Sequence, residues 1–147
     1  MIESLFVLCL PIIVCGVATF FDLRTREIPD WVWGVLVLAM PVRGLIVGQM
    51  LPWWQYAVGG VLALLLALIV GKGDRFGGGD IKLFGALGLW FGVFAVFPLA
   101  LWIAIAGLPL AVIAAARKQS DFAYAPAIFL GVCVHCFSPN LLQRIML

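Results

Sequence analysis

In 147 residues the chain carries 65% hydrophobic side chains against 11% charged ones, with a mean hydropathy of +1.20 and a formal charge of +2. That excludes an ordinary soluble domain, whose apolar share is nearer half and charged share about a quarter, and it excludes disorder. A chain this short cannot bury so much apolar surface in its own core, so lipid must cover it, and the weak, scattered charge offers nothing for nucleic acid to bind.

At about 20 apolar residues per crossing the length holds at most about six or seven spans. Apolar stretches run at about Leu5–Phe21, Trp31–Val47, Trp53–Val70, Ile81–Trp90, Val93–Ala116 and Ala125–Leu142. They predict an all-α bundle of about six transmembrane helices, one compact domain over residues 1–147. Residues 83–116 contain no ionisable group. As one helix they would extend roughly 50 Å, too far for a bilayer core, so a turn is required and Gly88-Leu89-Trp90-Phe91-Gly92 is its best place. The fourth helix is then short, about 15 Å, and its start is expected below the membrane surface.

The first segment lacks a basic n-region and a small-x-small cleavage site, so it does not read as a removable signal peptide. Arg24 and Arg26 follow helix one, Lys72, Arg75 and Lys82 surround the third connection, and Arg117 and Lys118 mark the fifth; Arg43 and Arg144 lie on the other side. By the positive-inside rule the odd-numbered connections are expected to face the cytoplasm and the N-terminus the outside. Trp31, Trp33, Trp53, Trp54 and Trp90 fall near helix ends, as an aromatic belt places them.

Two aspartates then share one end of the bundle. Asp22 closes the first helix in Phe21-Asp22-Leu23-Arg24-Thr25-Arg26-Glu27-Ile28-Pro29-Asp30, and Asp80 opens the fourth in Gly77-Gly78-Gly79-Asp80-Ile81-Lys82-Leu83. Ionisable groups at membrane depth are costly and line cavities or pair with each other. Two carboxyls in one low-dielectric cavity resist double ionisation, so the pair holds one proton over a useful pH range. Aspartic proteolysis requires that state: the ionised member takes a proton from water while the neutral one donates to the scissile carbonyl. Gly77, Gly78 and Gly79 permit positive φ and close backbone approach, which suits a loop holding a peptide in extended form beside Asp80. No serine–histidine, cysteine–histidine or zinc-ligand set competes, and no metal or cofactor is expected.

Simpler readings stand beside these. Asp22 fits an interfacial charge near Arg24 and Arg26, and Asp80 or Asp30 a helix cap. Lys82 fits an interface anchor, a phospholipid contact or a group that tunes the site. Glu27, Asp74 and Asp121 read as loop charges. Cys133-Val134-His135-Cys136 has C-x-x-C spacing but sits in an apolar segment without a second ligand pair, so packing is expected there, with His135 hydrogen-bonded to a neighbouring helix. Gly59-Gly60, Gly85 and Gly88 are expected to let helices approach closely, and Pro98 and Pro109 to kink helix five.

The two aspartate motifs resemble the signatures of the type IV prepilin peptidase family, whose second motif is written G-x-G-D. Tyr124-Ala125-Pro126-Ala127 with Gly131 is similar to the family's Pro-x-Gly-Pro region, of which only Pro126 is kept. The resemblance implies a membrane aspartyl endopeptidase of the cytoplasmic (inner) membrane that removes the positively charged leader from prepilins or pseudopilins, with Asp22 and Asp80 as the catalytic pair and Lys82 and Pro126 in support. Larger members also N-methylate the new terminus with an added domain bearing paired C-x-x-C zinc motifs. About nine residues separate the first two helices here, so leader cleavage without methylation is expected, as in the family's short branch. A small transporter or proton-conducting subunit is the competing class, and a non-catalytic pilus or secretion assembly protein a third. The crowding of ionisable groups at one face favours the peptidase.

Overall fold

Proline and glycine punctuate an otherwise apolar chain and decide where its helices stop. The computed structural model describes residues 2–47, 52–71, 77–116 and 124–137. They form six helices: α1 (Ile2–Thr25), α2 (Asp30–Val47), α3 (Trp53–Val70), α4 (Gly78–Phe91), α5 (Val93–Ala116) and α6 (Ala125–Phe137). Three segments are long and apolar enough to cross a membrane, Phe6–Thr25, Trp53–Val70 and Val93–Ile113. The chain is an all-α membrane protein. Lys72, Asp74, Arg75, Arg117, Lys118, Asp121 and Arg144 lie outside the described residues.

α1 runs past the expected Phe21 to Thr25, which places Asp22 inside the last turn. Arg26 then takes a left-handed conformation with φ 59°, and its N–H donates to the Asp22 carbonyl at 3.1 Å. A side chain in that region costs about 1–2 kcal/mol, so the helix ends sharply at a strained residue. The Thr25 hydroxyl braces the exit by bonding the Phe21 and Glu27 carbonyls. Pro29 prevents Ile28 from continuing a helix, and its own carbonyl accepts from Val32 to start α2. The connection is therefore the four residues Arg26–Pro29, shorter than the nine expected, because both helices extend beyond their apolar cores.

The predicted break at Gly88–Gly92 is present. Gly92 has φ 87°, a value only glycine takes freely, and it alone separates α4 from α5. α4 begins earlier than expected, at Gly78, and its 14 residues span about 21 Å, still short of a hydrocarbon core of about 30 Å. Pro98 and Pro109 both lie within the continuous α5.

α4 is the central helix: Asp80, Leu83, Phe84, Gly85, Ala86, Leu87, Gly88 and Trp90 are all buried. The expected close approach of α3 and α4 is borne out. A Cβ on Gly59 would stand 2.5 Å from the Gly88 carbonyl oxygen, and one on Gly88 would stand 2.5 Å from the Gly59 oxygen. Here two backbones touch with no side chain between them. Gly131 does the same for α5 and α6, its absent Cβ lying 2.7 Å from the Ile103 nitrogen.

Two sequence expectations need correction. Trp90 is not part of a lipid-facing belt: it is fully buried, and its indole N–H donates to the Val7 carbonyl of α1 at 3.0 Å. Trp31, Trp53 and Trp54 are exposed as expected. His135 packs edge-to-face on Phe91 with ring centroids 5.0 Å apart, and its Nδ1 has no hydrogen-bond partner among the described residues. The four cysteines are free thiols, and among the described residues no group of three or more His, Cys, Asp or Glu side chains is placed to hold a metal.

The glycine contacts give a direct test. Gly59→Val drives a side chain into the backbone at Gly88 and Gly92 and should cost about 3 kcal/mol or more, the upper end of overpacking penalties. Gly34→Ala, at a position with nothing within 4 Å, should be nearly neutral. Thermal melts of the two variants in detergent check this; equal melting temperatures would contradict the packing.

Candidate active site

Three helix ends converge at one end of the bundle: the last turn of α1, the first turn of α4 and the start of α6. Each supplies one polar element to a region that is otherwise apolar.

Asp22 is 6% exposed and Asp80 is 5% exposed. The Asp22 Oδ2 accepts the backbone N–H of Ala125 at 3.0 Å, so a carboxylate of α1 caps α6 from 103 residues away. A helix start carries unsatisfied N–H groups and a partial positive charge, and a carboxylate is a favoured partner for both. Pro126 follows in the first turn of α6, where a missing N–H costs no helix bond.

Asp80 stands differently. Gly77 caps α4 with an extended conformation, φ −62° and ψ 144°, and its carbonyl accepts from the Asp80 and Ile81 N–H groups. Asp80 is thus a first-turn residue and not the N-cap. A backbone hydrogen bond from Gly77 reaches its carboxyl, yet its Oδ1 is buried with no hydrogen-bond partner among the described residues. Asp80 precedes the apolar stretch of its helix and lies outside the three candidate spans. Burial first, and then the nearby Asp22 carboxylate, push its carboxyl up from the ordinary 3.8 to about 7. The two sequence-predicted aspartates are therefore within electrostatic reach of each other in one buried site.

The glycine run does less through conformation than its sequence implies. None of Gly77, Gly78 and Gly79 takes a positive φ; among the described glycines only Gly92 does. Gly79 instead makes room for the α1–α2 connection: a Cβ there would meet the Ile28 Cβ at 2.7 Å and the Ile28 carbonyl oxygen at 3.3 Å. At Gly77 a Cβ would sit 3.4 Å from Asp80 Oδ2, whereas Gly78 faces open space.

Lys82 and Asp30 join the same end from outside. Lys82 Nζ donates to Asp30 Oδ1 at 2.7 Å, and the Trp33 indole N–H donates to the same oxygen at 3.0 Å. Lys82 also lies 5.7 Å from the centre of the Trp33 ring. The hydrogen bonds from Lys82 and Trp33 hold the Asp30 carboxyl below its ordinary range. Asp30, read from sequence as a cap, is committed to this pair, which ties the start of α2 to α4. Both partners are well exposed, so the energy is small and the value is positional.

Tyr124, at the entry to α6, is the residue sequence reasoning missed. Burial and then the Asp80 charge push its phenol above the ordinary tyrosine range, so it lies within electrostatic reach of Asp80. It also lines an apolar groove of about 180 Å³ with Ala67, Val70, Phe84, Phe97 and Ile128. The signal was its position just before Ala125-Pro126, at the loop-to-helix step that Asp22 caps.

The model of the type IV leader peptidase family matches residues 9–116, a range containing both aspartates. The chain is 30% identical over 124 residues to a prepilin leader peptidase/N-methyltransferase of Neisseria gonorrhoeae; the match covers 75% of this chain and 41% of that protein. The chain thus spans less than half the length of that curated relative. No solved structure matches it.

The raised Asp80 carboxyl has a consequence for stability. A folded-state value above the unfolded one means the folded protein binds the proton more tightly, so stability falls as pH rises from about 4 to about 7 and stays low above that. Asp80→Asn removes the ionisable group while nearly keeping its shape. Its melting temperature should exceed that of the parent by several degrees at pH 8, and the gain should shrink steadily toward pH 4.5. A pH-independent difference in detergent melts would contradict the assignment.

Proposed function

The chain belongs to the type IV leader peptidase family, and from that membership and the paired carboxyls we propose that it is a membrane aspartyl endopeptidase acting on the leader of prepilins or pilin-like proteins. The observation that carries the reading is the meeting of Asp22 and Asp80, from α1 and α4, in one buried site.

Their surroundings support different roles. Asp22 accepts a backbone N–H at the positive end of α6, a setting suited to the ionised member. Asp80, with an oxygen buried and unpartnered among the described residues and a carboxyl raised to about 7, suits the neutral one. Asp22 takes a proton from a water whose oxygen attacks the scissile carbonyl carbon, while the Asp80 proton passes to the carbonyl oxygen. Collapse of the tetrahedral species breaks the C–N bond, the leaving nitrogen receives a proton from the pair, and the carboxyls return to their starting state. Tyr124, whose phenol feels the Asp80 charge and which lines the apolar groove, is suited to position the substrate.

The open space at Gly78 and the apolar groove supply complementary surfaces: the first admits an extended backbone, the second an apolar segment following the cut. Acidic loop groups such as Glu27 offer a partner for a basic leader. The surplus of Lys and Arg on the odd-numbered connections supports a cytoplasmic location for this end, in the inner membrane. The four-residue Arg26–Pro29 connection leaves no room for an inserted domain between α1 and α2, so cleavage without N-methylation is the expected activity.

Purified protein in detergent, incubated with a prepilin, should shorten it by the leader, with a mature mass that lacks an added methyl group. Asp22→Asn and Asp80→Asn should each lower the rate at least about 100-fold, the scale of a lost acid–base group, while remaining folded. The rate should fall as pH rises through about 7, where Asp80 loses its proton. Full activity in either variant would overturn the pairing, and an alkaline limb retained unchanged in a Tyr124→Phe variant would assign that limb to Asp80.

A further inference from the structure

The opposite end of the bundle holds a buried cation that the peptidase chemistry does not use. Arg43, in the last turns of α2, is only 7% exposed. Its guanidinium lies 4.9 Å from the centre of the Tyr56 ring and 5.6 Å from that of the buried Trp90. Among the described residues no carboxylate pairs with it, and its Nε is buried without a hydrogen-bond partner. The Tyr56 hydroxyl is likewise buried and has no hydrogen-bond partner among the described residues. Cation–π contact offsets part of the cost of burying this charge but satisfies none of the five guanidinium N–H donors.

Both residues line a cavity of about 510 Å³ between α2 and α3, with the Arg43 Nε and the Tyr56 hydroxyl buried behind its surface. Its other walls are apolar, including Val37, Met40, Leu45, Ala57 and Leu89, and no Asp or Glu is among its lining residues. Trp53, also on its rim, is 71% exposed, as an indole at the headgroup level of a bilayer would be. The cavity therefore combines one positive charge with an apolar wall, at the end of the bundle where Trp53 opens α3.

We propose that this cavity is a binding site for an anionic phospholipid: its phosphate accepts from the Arg43 guanidinium, and an acyl chain lies along the apolar wall. A headgroup with net charge −1 neutralises Arg43. A choline headgroup carries its own cation into a site that already holds one, so a zwitterionic lipid binds less well. The lipid belongs to the leaflet remote from Asp22 and Asp80, and the site is independent of the proposed catalysis.

Native mass spectrometry and thermal melts of the delipidated protein in detergent, with added phosphatidylglycerol, phosphatidylcholine or inorganic phosphate, test this. Phosphatidylglycerol should give a one-lipid adduct and a rise in melting temperature, each at least about tenfold more effective per mole than phosphatidylcholine, a preference of about 1.4 kcal/mol. Arg43→Gln should lose the preference and Arg43→Lys should keep part of it. Should Arg43→Gln prove unstable, Gly44→Leu serves: Gly44 lines the cavity and has nothing within 4 Å of its absent Cβ, so the new side chain fills the space without a backbone clash. It should lose the adduct while keeping the charge. Equal binding of the two lipids, an unchanged adduct in Gly44→Leu, equal protection by inorganic phosphate, or a protein dimer in place of the lipid adduct would each overturn the proposal.

Discussion

Backbone contact between α3 and α4 at Gly59 and Gly88 is the constraint on which the rest of the molecule depends. In lipid no hydrophobic force distinguishes a helix neighbour from an acyl chain, so association rests on close packing and hydrogen bonds. By removing two side chains at one crossing the sequence lets α4 sink into the middle of the bundle, where it also meets α2 and α5. In this short central helix a first-turn residue, Asp80, and a last-turn residue, Trp90, are both buried. Its first turn carries Asp80 into the junction with α1 and α6, and its last turn carries Trp90 under α1, where the indole reaches the Val7 carbonyl. One packing contact thus sets the depth of a carboxyl at one end and of an indole at the other.

The two aspartates are alike in burial and unlike in partners. Asp22 solves a structural problem, the bare N–H groups at the start of α6, and gains a stabilising field in return. Asp80 has a buried oxygen without a hydrogen-bond partner among the described residues and feels a second carboxylate. Such an arrangement costs stability and is tolerated where it serves chemistry. Both carboxyls sit at a helix N-terminus, which favours charge on each, so the asymmetry arises from local partners: Asp22 accepts the Ala125 N–H, whereas one Asp80 oxygen is buried without a hydrogen-bond partner among the described residues.

Much of this was legible in the sequence because it was local. The bounds of α3 and α5 follow hydropathy to the residue, and the Gly88–Gly92 break follows from the length of an uncharged run that no single span accommodates. The aspartates stood out because charges are scarce. What escaped depends on contacts between distant segments. Hydropathy scores a buried indole and a lipid-facing one alike, so Trp90 read as a belt residue. Helix caps extended by polar residues, as at Leu23–Thr25, fall outside an apolar window, so the α1–α2 connection looked longer than it is. The glycine run pointed to backbone freedom, yet at Gly79 the missing side chain serves Ile28, fifty-one residues earlier in the chain. No local pattern encodes that pairing, nor the reach of Asp22 to Ala125.

Arg43 shows the same limit from the other side. Counted by sequence it is one positive charge on the less basic face. In the fold it is withdrawn from solvent and stacked between Tyr56 and Trp90, and Trp90 occupies that place because α4 is central. The contact that seats Asp80 at one end therefore also builds the wall beside Arg43 at the other. A bundle with α4 displaced toward lipid would expose Trp90, remove one face of the Arg43 stack and withdraw Asp80 from Asp22 together. The two ends differ in chemistry but share one mechanical origin, which is why changes at Gly59 and Gly88 reach both.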